Sequence, residues 1–93
     1  MAAACFTALG IVSAGCHKCA ELKTAMAKAF RKEGYELEFV EILFDADPAY
    51  AGEIAARYGL DDIPSFTIAG HVFKPGFDEK NVKKVVWERQ RHG

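Results

Sequence analysis

The stretch that decides the fold of this chain is residues 6–19, FTALGIVSAGCHKC. Residues 6–12 form an apolar run with β-branched members, which predicts a buried strand. The small residues Ser13, Ala14 and Gly15 predict a turn, and a helical pattern opens at Cys16. A C-x-x-C motif therefore stands at the point where a strand gives way to a helix.

The position of the two cysteines predicts a thiol–disulfide redox pair. Residues three apart in the first turn of a helix lie on one face, close enough for their sulfurs to bond. The helix N-terminus also presents unpaired N–H groups and a partial positive charge, which favour a thiolate over a thiol. We expect Cys16, preceded by small residues, to be the exposed nucleophile. Cys19, on the apolar stripe of the helix, is expected to be the shielded resolving thiol.

The residues between the cysteines are candidates for tuning the redox poise of the pair. Lys18 adds positive potential beside Cys16, and a protonated His17 would add more, which favours the thiolate. His17 is equally compatible with a neutral surface residue, and the sequence leaves both interpretations open. Cys5 lies 11 residues before Cys16, so a strand rising about 3.3 Å per residue carries it away from the motif. We expect Cys5 to be a buried or partly buried free thiol without a direct catalytic role.

Length and composition indicate one globular domain spanning residues 1–93. The net charge of −1 implies no general attraction to nucleic acid or to an acidic membrane surface. No stretch approaches the roughly 20 apolar residues of a membrane span. Three cysteines are too few for a disulfide scaffold, and their odd number favours a reducing compartment. We therefore expect a cytoplasmic monomer with no nucleic-acid or membrane partner.

The remainder of the chain alternates between helical and strand patterns. The helix that opens at Cys16 is predicted to run to about residue 33, where Gly34 ends it. The predicted elements that follow are a strand near the sheet edge (36–44), a helix capped by Asp47 and begun by Pro48 (47–58), two strands (65–69 and 72–74) and a last helix capped by Asp78. A tight turn at Gly70-His71 is expected between the two strands. The resulting order, β-α-β-α-β-β-α, indicates an α/β protein.

Three features of this order resemble the thioredoxin-fold superfamily, over about residues 6–89. They are the C-x-x-C at the start of the first helix, Ile63-Pro64 before the third strand, and Gly76 just before the last helix. The chain is most similar to the small glutaredoxin-like thioredoxins, also called redox-active disulfide proteins. That group shows a Gly-Cys-x-x-Cys opening, as residues 15–19 do, and a Gly-Leu-x-x-hydrophobic-Pro segment, as residues 59–64 do.

The resemblance implies a fold, an activity and a set of site residues. The fold would be thioredoxin-like, with a central four-stranded mixed sheet flanked by helices. The activity would be reduction of protein disulfides through the redox-active disulfide Cys16–Cys19, with no bound cofactor or metal. Pro64 would be cis, and the Ile63 backbone would pair with an extended substrate segment. The partners would be a disulfide-containing protein and a dithiol donor such as a thioredoxin reductase.

The chain also departs from its relatives at several positions. Thioredoxins carry a Trp just before the first cysteine, where this chain has Gly15, and a buried acid six residues before it, where it has Gly10. Proton transfer would then need water or another carboxylate. Glutaredoxins carry a Lys where this chain has Ser13, and a Gly-Gly pair and a Cys-Asp pair where it has residues 75–76 and 77–78.

Glutathione use is therefore left open by the pattern. Gly76, Phe77 and Asp78 are candidate substrate-binding residues, because Asp78 and the free N–H groups near it would accept the charged ends of glutathione. A glutathione-linked glutaredoxin is accordingly the nearest alternative to a reductase of protein disulfides.

A soft-metal carrier is a third possibility, because thiolates select Cu(I), Zn or Hg. Small ferredoxin-like carriers place C-x-x-C between a strand and a helix, but they run β-α-β-β-α-β and lack the Ile-Pro element. The helix predicted over residues 47–58 argues against that order. Cys5 and His71 do not complete the paired-ligand spacing of a zinc site. A domain that kept the fold only for partner binding is disfavoured, because both cysteines of the motif are present.

Overall fold

The computed structural model describes residues 4–92 of the chain. Its elements are β1 (Ala4–Val12), α1 (His17–Lys32), β2 (Tyr35–Leu43), α2 (Pro48–Tyr58), β3 (Ser65–Ile68), β4 (His71–Phe73) and α3 (Glu79–His92). This confirms the predicted order β-α-β-α-β-β-α. Within the described residues, no helix is both long and apolar enough to cross a membrane.

The strands form one mixed sheet in the order β2-β1-β3-β4. β1 and β2 are parallel and in register from Ala4↔Tyr35 to Val12↔Leu43. A parallel pair requires a crossover connection, which α1 supplies. β3 pairs antiparallel with both β1 and β4. β2 is an edge strand, as the sequence predicted, and the carboxyl end of the central strand β1 leads directly to the C-x-x-C motif.

Alternating residues of β1 divide the core between the two faces of the sheet. Phe6, Ala8 and Val12 join the buried side chains of α1 and α3 in the larger cluster. Ile11 faces the other way and packs in a smaller cluster with Ala51 and Ile54 of α2. Two helices therefore cover one face of the sheet and one helix covers the other.

Most element ends differ by one or two residues from the sequence-based expectation, and the burial state of Cys5 differs as well. The turn between β3 and β4 is formed by Ala69 and Gly70, one residue earlier than predicted, and both have positive φ (51° and 84°). Hairpin turns with two positive φ angles match the twist of the flanking strands, so β4 begins at His71. Cys5 is exposed, not buried or partly buried. It lies near the open end of β1, where its carbonyl oxygen accepts a hydrogen bond from the Arg89 guanidinium.

Packing is very tight at Gly10, in the middle of β1. Gly10 pairs with Phe66 of β3, and the Phe66 ring occupies the space where a side chain at position 10 would project. A Cβ atom there would lie 2.5 Å from the Ser65 carbonyl oxygen and closer still to the Phe66 ring. Real carbon–carbon contacts are about 3.5–4.0 Å. The absence of a side chain at Gly10 is therefore a packing requirement.

We predict that Gly10→Ala lowers the free energy of unfolding by about 1–3 kcal/mol, the usual cost of overpacking a tight core. Urea denaturation followed by circular dichroism measures this change. Gly52→Ala is the matched control, because Gly52 lies within α2 with open space around it. Alanine is favoured over glycine in a helix interior by about 1 kcal/mol, so the control should be stabilised. A Gly10→Ala variant as stable as the wild type would contradict the packing argument.

Candidate active site

Cys16 is the N-cap of α1, and this position determines its surroundings. Its backbone is extended (φ −86°, ψ 110°), and its Sγ accepts a hydrogen bond from the Cys19 backbone N–H at 3.2 Å. An N-cap side chain normally supplies an oxygen to satisfy one of the free N–H groups of the first turn. Here sulfur takes that role, so the helix terminus acts directly on the sulfur of Cys16.

The pKa of the Cys16 thiol is lowered from its usual value. The largest cause is the hydrogen bond from the Cys19 side chain, and the backbone N–H of Cys19, the Ser13 side chain and the backbone N–H of Lys18 act in the same direction. These groups donate to the sulfur and stabilise its charged form. Partial burial works against them without reversing the direction.

The pKa of the Cys19 thiol is raised instead. Burial is the largest cause, followed by the hydrogen bond that this thiol donates to Cys16 and by the negative charges of Cys16 and Glu41. Cys19 is only 6% exposed and packs in the core with Leu22 and Met26. As the pH rises, Cys16 therefore loses its proton before Cys19 does.

A second interaction fixes the turn that carries Cys16. The Asp45 carboxylate accepts a hydrogen bond from the Ala14 N–H at 2.7 Å. The Phe44 N–H donates to the Val12 carbonyl at 2.9 Å and extends the parallel pairing beyond the ends of the strands. The segment that follows β2 thus holds the segment that follows β1. Nothing in the sequence analysis singled out Asp45, since its role depends on strand pairing.

The cysteines open into a cleft of about 400 Å³. Besides Cys16, His17 and Cys19, its wall includes Lys23 of α1 and Glu41 of β2. Lys23 and Glu41 form an ion pair, so the positive charge that Lys23 brings to this side of the helix is largely neutralised. Glu41 was not among the predicted site residues. The sequence does contain a signal for it: Glu36 and Glu38 are two residues apart and share one face of β2, whereas Glu41 comes three residues later and therefore lies on the other face.

The two residues within the motif face solvent. His17 and Lys18 are both exposed, and His17 lines the cleft with the cysteines. The backbone N–H of Lys18 contributes to the lowered pKa of Cys16, whereas its side chain lies along a different cleft. Lys18 therefore lowers the pKa of Cys16 through its backbone N–H, whereas the sequence-based expectation was an effect of its side-chain charge.

Ile63 and Pro64 lie beside the end of β1. The peptide bond between them is cis, Pro64 is fully buried, and Ile63 is 44% exposed. β3 starts at the next residue, and its register with β1 pairs Ser65 with Ile11. Continued by one residue, the same register sets Pro64 opposite Val12, just before the turn to Cys16. Ile63 thus presents apolar surface near the motif.

The residues before α3 form a separate feature. Gly76 has a φ of 82°, Phe77 packs edge-to-face on Phe73 with centroids 5.4 Å apart, and the Asp78 carboxylate accepts the Lys80 N–H at 2.9 Å. Gly76 and Phe77 share a cleft of about 230 Å³ with Lys18. Lys18 thus lies with Gly76 and Phe77, whereas the two cysteines lie in the larger cleft with Glu41.

Among residues 4–92, no group of three or more His, Cys, Asp or Glu side chains is placed to hold a metal ion.

Comparison with known proteins gives a likeness of fold only. No family model matches the chain, and the curated proteins include no significant match. Among solved structures, one described as "Structure of a malarial protein" is similar, with a TM-score of 0.51 and 12% sequence identity. The match covers 89% of this chain and 94% of that one. At this identity the match carries no inference about function.

We predict that iodoacetamide labels Cys16 faster than Cys5 and Cys19 at neutral pH, because the thiolate is the reactive form. The lowered pKa of Cys16 keeps its thiolate populated as the pH falls, so its labelling should persist below the ordinary thiol pKa of about 8.5. The raised pKa of Cys19 keeps that thiol protonated there. Peptide mass spectrometry after timed quenching measures the three rates.

Cys5 is the internal control for this experiment. It is more exposed than Cys16 but lies in a strand, so it lacks the helix terminus. Labelling of Cys5 as fast as that of Cys16, or faster, would mean that exposure sets reactivity. Faster labelling of Cys19 than of Cys16 would reverse the assignment of nucleophile and resolving thiol.

Proposed function

We propose that this chain is a dithiol–disulfide oxidoreductase with a thioredoxin-like fold, and that it reduces disulfides in proteins. The observation that carries the proposal is the unequal environment of two thiols three residues apart. Cys16 is partly exposed, caps α1 and has a lowered pKa, whereas Cys19 is buried with a raised one. Two inert structural thiols would not need this asymmetry.

The asymmetry suits a two-step exchange of electrons. The Cys16 thiolate attacks one sulfur of a substrate disulfide, the substrate S–S bond breaks, and the leaving sulfur departs as a thiolate that takes up a proton. Cys19 then loses its proton and attacks Cys16 Sγ. The mixed disulfide breaks, the Cys16–Cys19 disulfide forms, and the substrate has gained two electrons and two protons. A dithiol donor such as a thioredoxin reductase would return the pair to its reduced form.

The surface around the motif suits a polypeptide substrate. Leu43 is 39% exposed and lines the cleft that holds Cys16. Phe44 and Ile63, 40% and 44% exposed, lie on the segments that flank the end of β1 and line a separate cleft beside α2. Apolar side chains of this kind contribute most of the contact area when an extended segment binds. In this proposal the Ile63 backbone aligns the substrate, and the site works as a monomer in a reducing compartment such as the cytoplasm.

The soft-metal carrier is less well supported. The small ferredoxin-like carriers have no helix between the second and third strands, and here α2 (Pro48–Tyr58) occupies that place. α2 is also fixed to the fold, since Ala51 and Ile54 are buried against the sheet. The same two thiolates would still bind a soft metal in solution, so metal should be chelated in every assay.

We predict that Cys19→Ser leaves a long-lived mixed disulfide between Cys16 and a substrate protein, because no internal thiol remains to displace it. Non-reducing electrophoresis and mass spectrometry identify the adduct and the bonded residue. Cys5→Ser is the matched control, since it removes a thiol that lies at the far end of β1, and it should trap nothing. If removing Cys5 abolished turnover as fully as removing Cys16, the two-cysteine mechanism would be wrong.

We also predict that a thioredoxin reductase or another dithiol donor outpaces glutathione in reducing the oxidised protein. Ser13 and Phe77 replace two glutathione-binding features of glutaredoxins, and a lost charge-assisted hydrogen bond costs about 1.5–3 kcal/mol. That is roughly ten- to a hundred-fold in affinity for a small tripeptide, whereas a protein donor spreads its binding over many contacts. The assay compares both donors at matched potential. Saturable, efficient turnover with glutathione would favour the glutaredoxin alternative.

A further inference from the structure

The second step of the exchange requires a proton acceptor for Cys19. Cys19 is buried at the base of the cleft, and burial disfavours the thiolate that must attack. Attack at neutral pH is therefore assisted by any group that removes the proton during the step. Such a group has to reach the cleft, be able to accept a proton, and not be bonded to the substrate while the mixed disulfide exists.

The titratable side chains that face this cleft are few. From α1 and its N-cap they are Cys16, His17, Cys19 and Lys23, and from β2 there is Glu41, among the described residues. Cys16 is tied up in the mixed disulfide during this step, and Lys23 is a cation at neutral pH. Glu41 and His17 remain as acceptors. His17 neighbours the mixed disulfide on the exposed side of the helix, whereas Cys19 points to the opposite, buried side.

β2 places Glu41 on the wall of the cleft that Cys19 also lines. Tyr35, Leu37 and Phe39 pack on the α1 face of the sheet, and Glu41 is the next residue of the same parity. Its carboxylate is held by the Lys23 ammonium, and the two side chains are 34% and 35% exposed. The carboxylate is thus fixed at the wall of the cleft with enough exposure to exchange protons with solvent.

The packing of β1 explains why the acid comes from β2. Gly10 is the register partner of Glu41 on the neighbouring strand and faces the same side of the sheet. The Phe66 ring leaves no room for any side chain at Gly10. At this level of the sheet β1 therefore cannot carry an acid, and its neighbour β2 carries Glu41.

We propose that Glu41, held by Lys23, accepts the proton of Cys19 as Cys19 attacks the mixed disulfide. This inference rests on the proposed disulfide exchange and adds the residue that drives its second step. The Cys19 S–H bond breaks and its proton passes to the Glu41 carboxylate, directly or through one water. The new S–S bond forms between Cys19 and Cys16, and the bond from Cys16 to the substrate breaks. The departing substrate thiolate then recovers the proton from Glu41 or from solvent.

The test separates the two steps with an aromatic disulfide, 5,5′-dithiobis(2-nitrobenzoate), mixed with the reduced protein in a stopped-flow instrument. Cys5→Ser is the parent for every variant, because the exposed Cys5 would release a coloured thiolate of its own. The first coloured thiolate is released when Cys16 attacks, and the second when Cys19 resolves the adduct. Glu41→Gln should slow the second phase by roughly 10²-fold, the lower end of the range for general acid–base catalysis, and leave the first phase within about two-fold. Glu41→Asp, which keeps the carboxylate, should restore part of the rate.

The direction of the change distinguishes proton transfer from simple electrostatics. The negative charge of Glu41 helps to raise the pKa of Cys19, so removing that charge alone would increase the Cys19 thiolate fraction and speed the second phase. A slower second phase therefore requires the loss of a proton acceptor. Its rate in Glu41→Gln should also rise in direct proportion to hydroxide concentration below the Cys19 pKa, whereas the profile of the Cys5→Ser parent should be flatter.

Two controls complete the experiment. Glu38→Gln makes the same change on the same strand but on the opposite face of the sheet, and it should leave both phases unchanged. His17→Gln tests the rival acceptor. A second phase that is unchanged or faster in Glu41→Gln, or one that is slowed only in His17→Gln, overturns the assignment of Glu41. If the Cys5→Ser parent releases no second thiolate at all, the proposed disulfide exchange itself fails.

Discussion

The contact between the Phe66 ring and the backbone of Gly10 is the constraint on which the rest of this structure depends. It joins β3 to the middle of β1 more closely than any side chain at position 10 would permit. Because β1 is central, the contact also sets where Phe66 meets Phe39 of β2, with ring centroids 5.3 Å apart in an edge-to-face arrangement. β2, β1 and β3 are thus packed against one another close to the level of Gly10, six residues before Cys16 along the chain.

The chemistry of the motif follows from how α1 begins after β1. Cys16 lies outside the first turn of α1 and receives hydrogen bonds, whereas Cys19 lies inside it and faces the core. With a spacing of only three residues, the thiolate form of Cys16 is therefore stabilised and that of Cys19 is disfavoured. The opposite pKa shifts of the two thiols do not depend on a nearby cation. Their largest causes are hydrogen bonding and burial, and the Lys23 ammonium is paired with Glu41.

Local patterns were enough to predict most of the fold. The apolar run of β1, the capping residues Asp47 and Asp78 and the apolar stripe of α1 each depend on a few neighbouring residues, and the element order was correct. The turn at Ala69–Gly70 was misplaced by one residue because Ala69 is an unusual choice for a positive φ. Cys5 was expected to be covered, but it lies near an open strand end that no local signal reveals.

The candidate site was predictable only in part, for a related reason. Local sequence motifs identify the two cysteines and Ile63-Pro64. The positions of Glu41 and Asp45, in contrast, become meaningful only through the pairing of β1 with β2. Glu41 becomes relevant because it is the register partner of Gly10, and Asp45 because the next segment reaches Ala14. Register is a long-range property, so residues of this kind emerge only once the sheet is assembled.

The two sides of β1 present very different surfaces. β2 is a nine-residue edge strand, and such a strand invites pairing by any extended chain. Its outward face carries Glu36 and Glu38, both exposed, and charges along an edge discourage that pairing. On the other side of β1, Ile63 exposes apolar surface, and the acids that precede it, Asp61 and Asp62, are paired with Lys74. In the proposed exchange, an extended substrate would therefore contact the Ile63 side of β1 rather than the charged edge of β2.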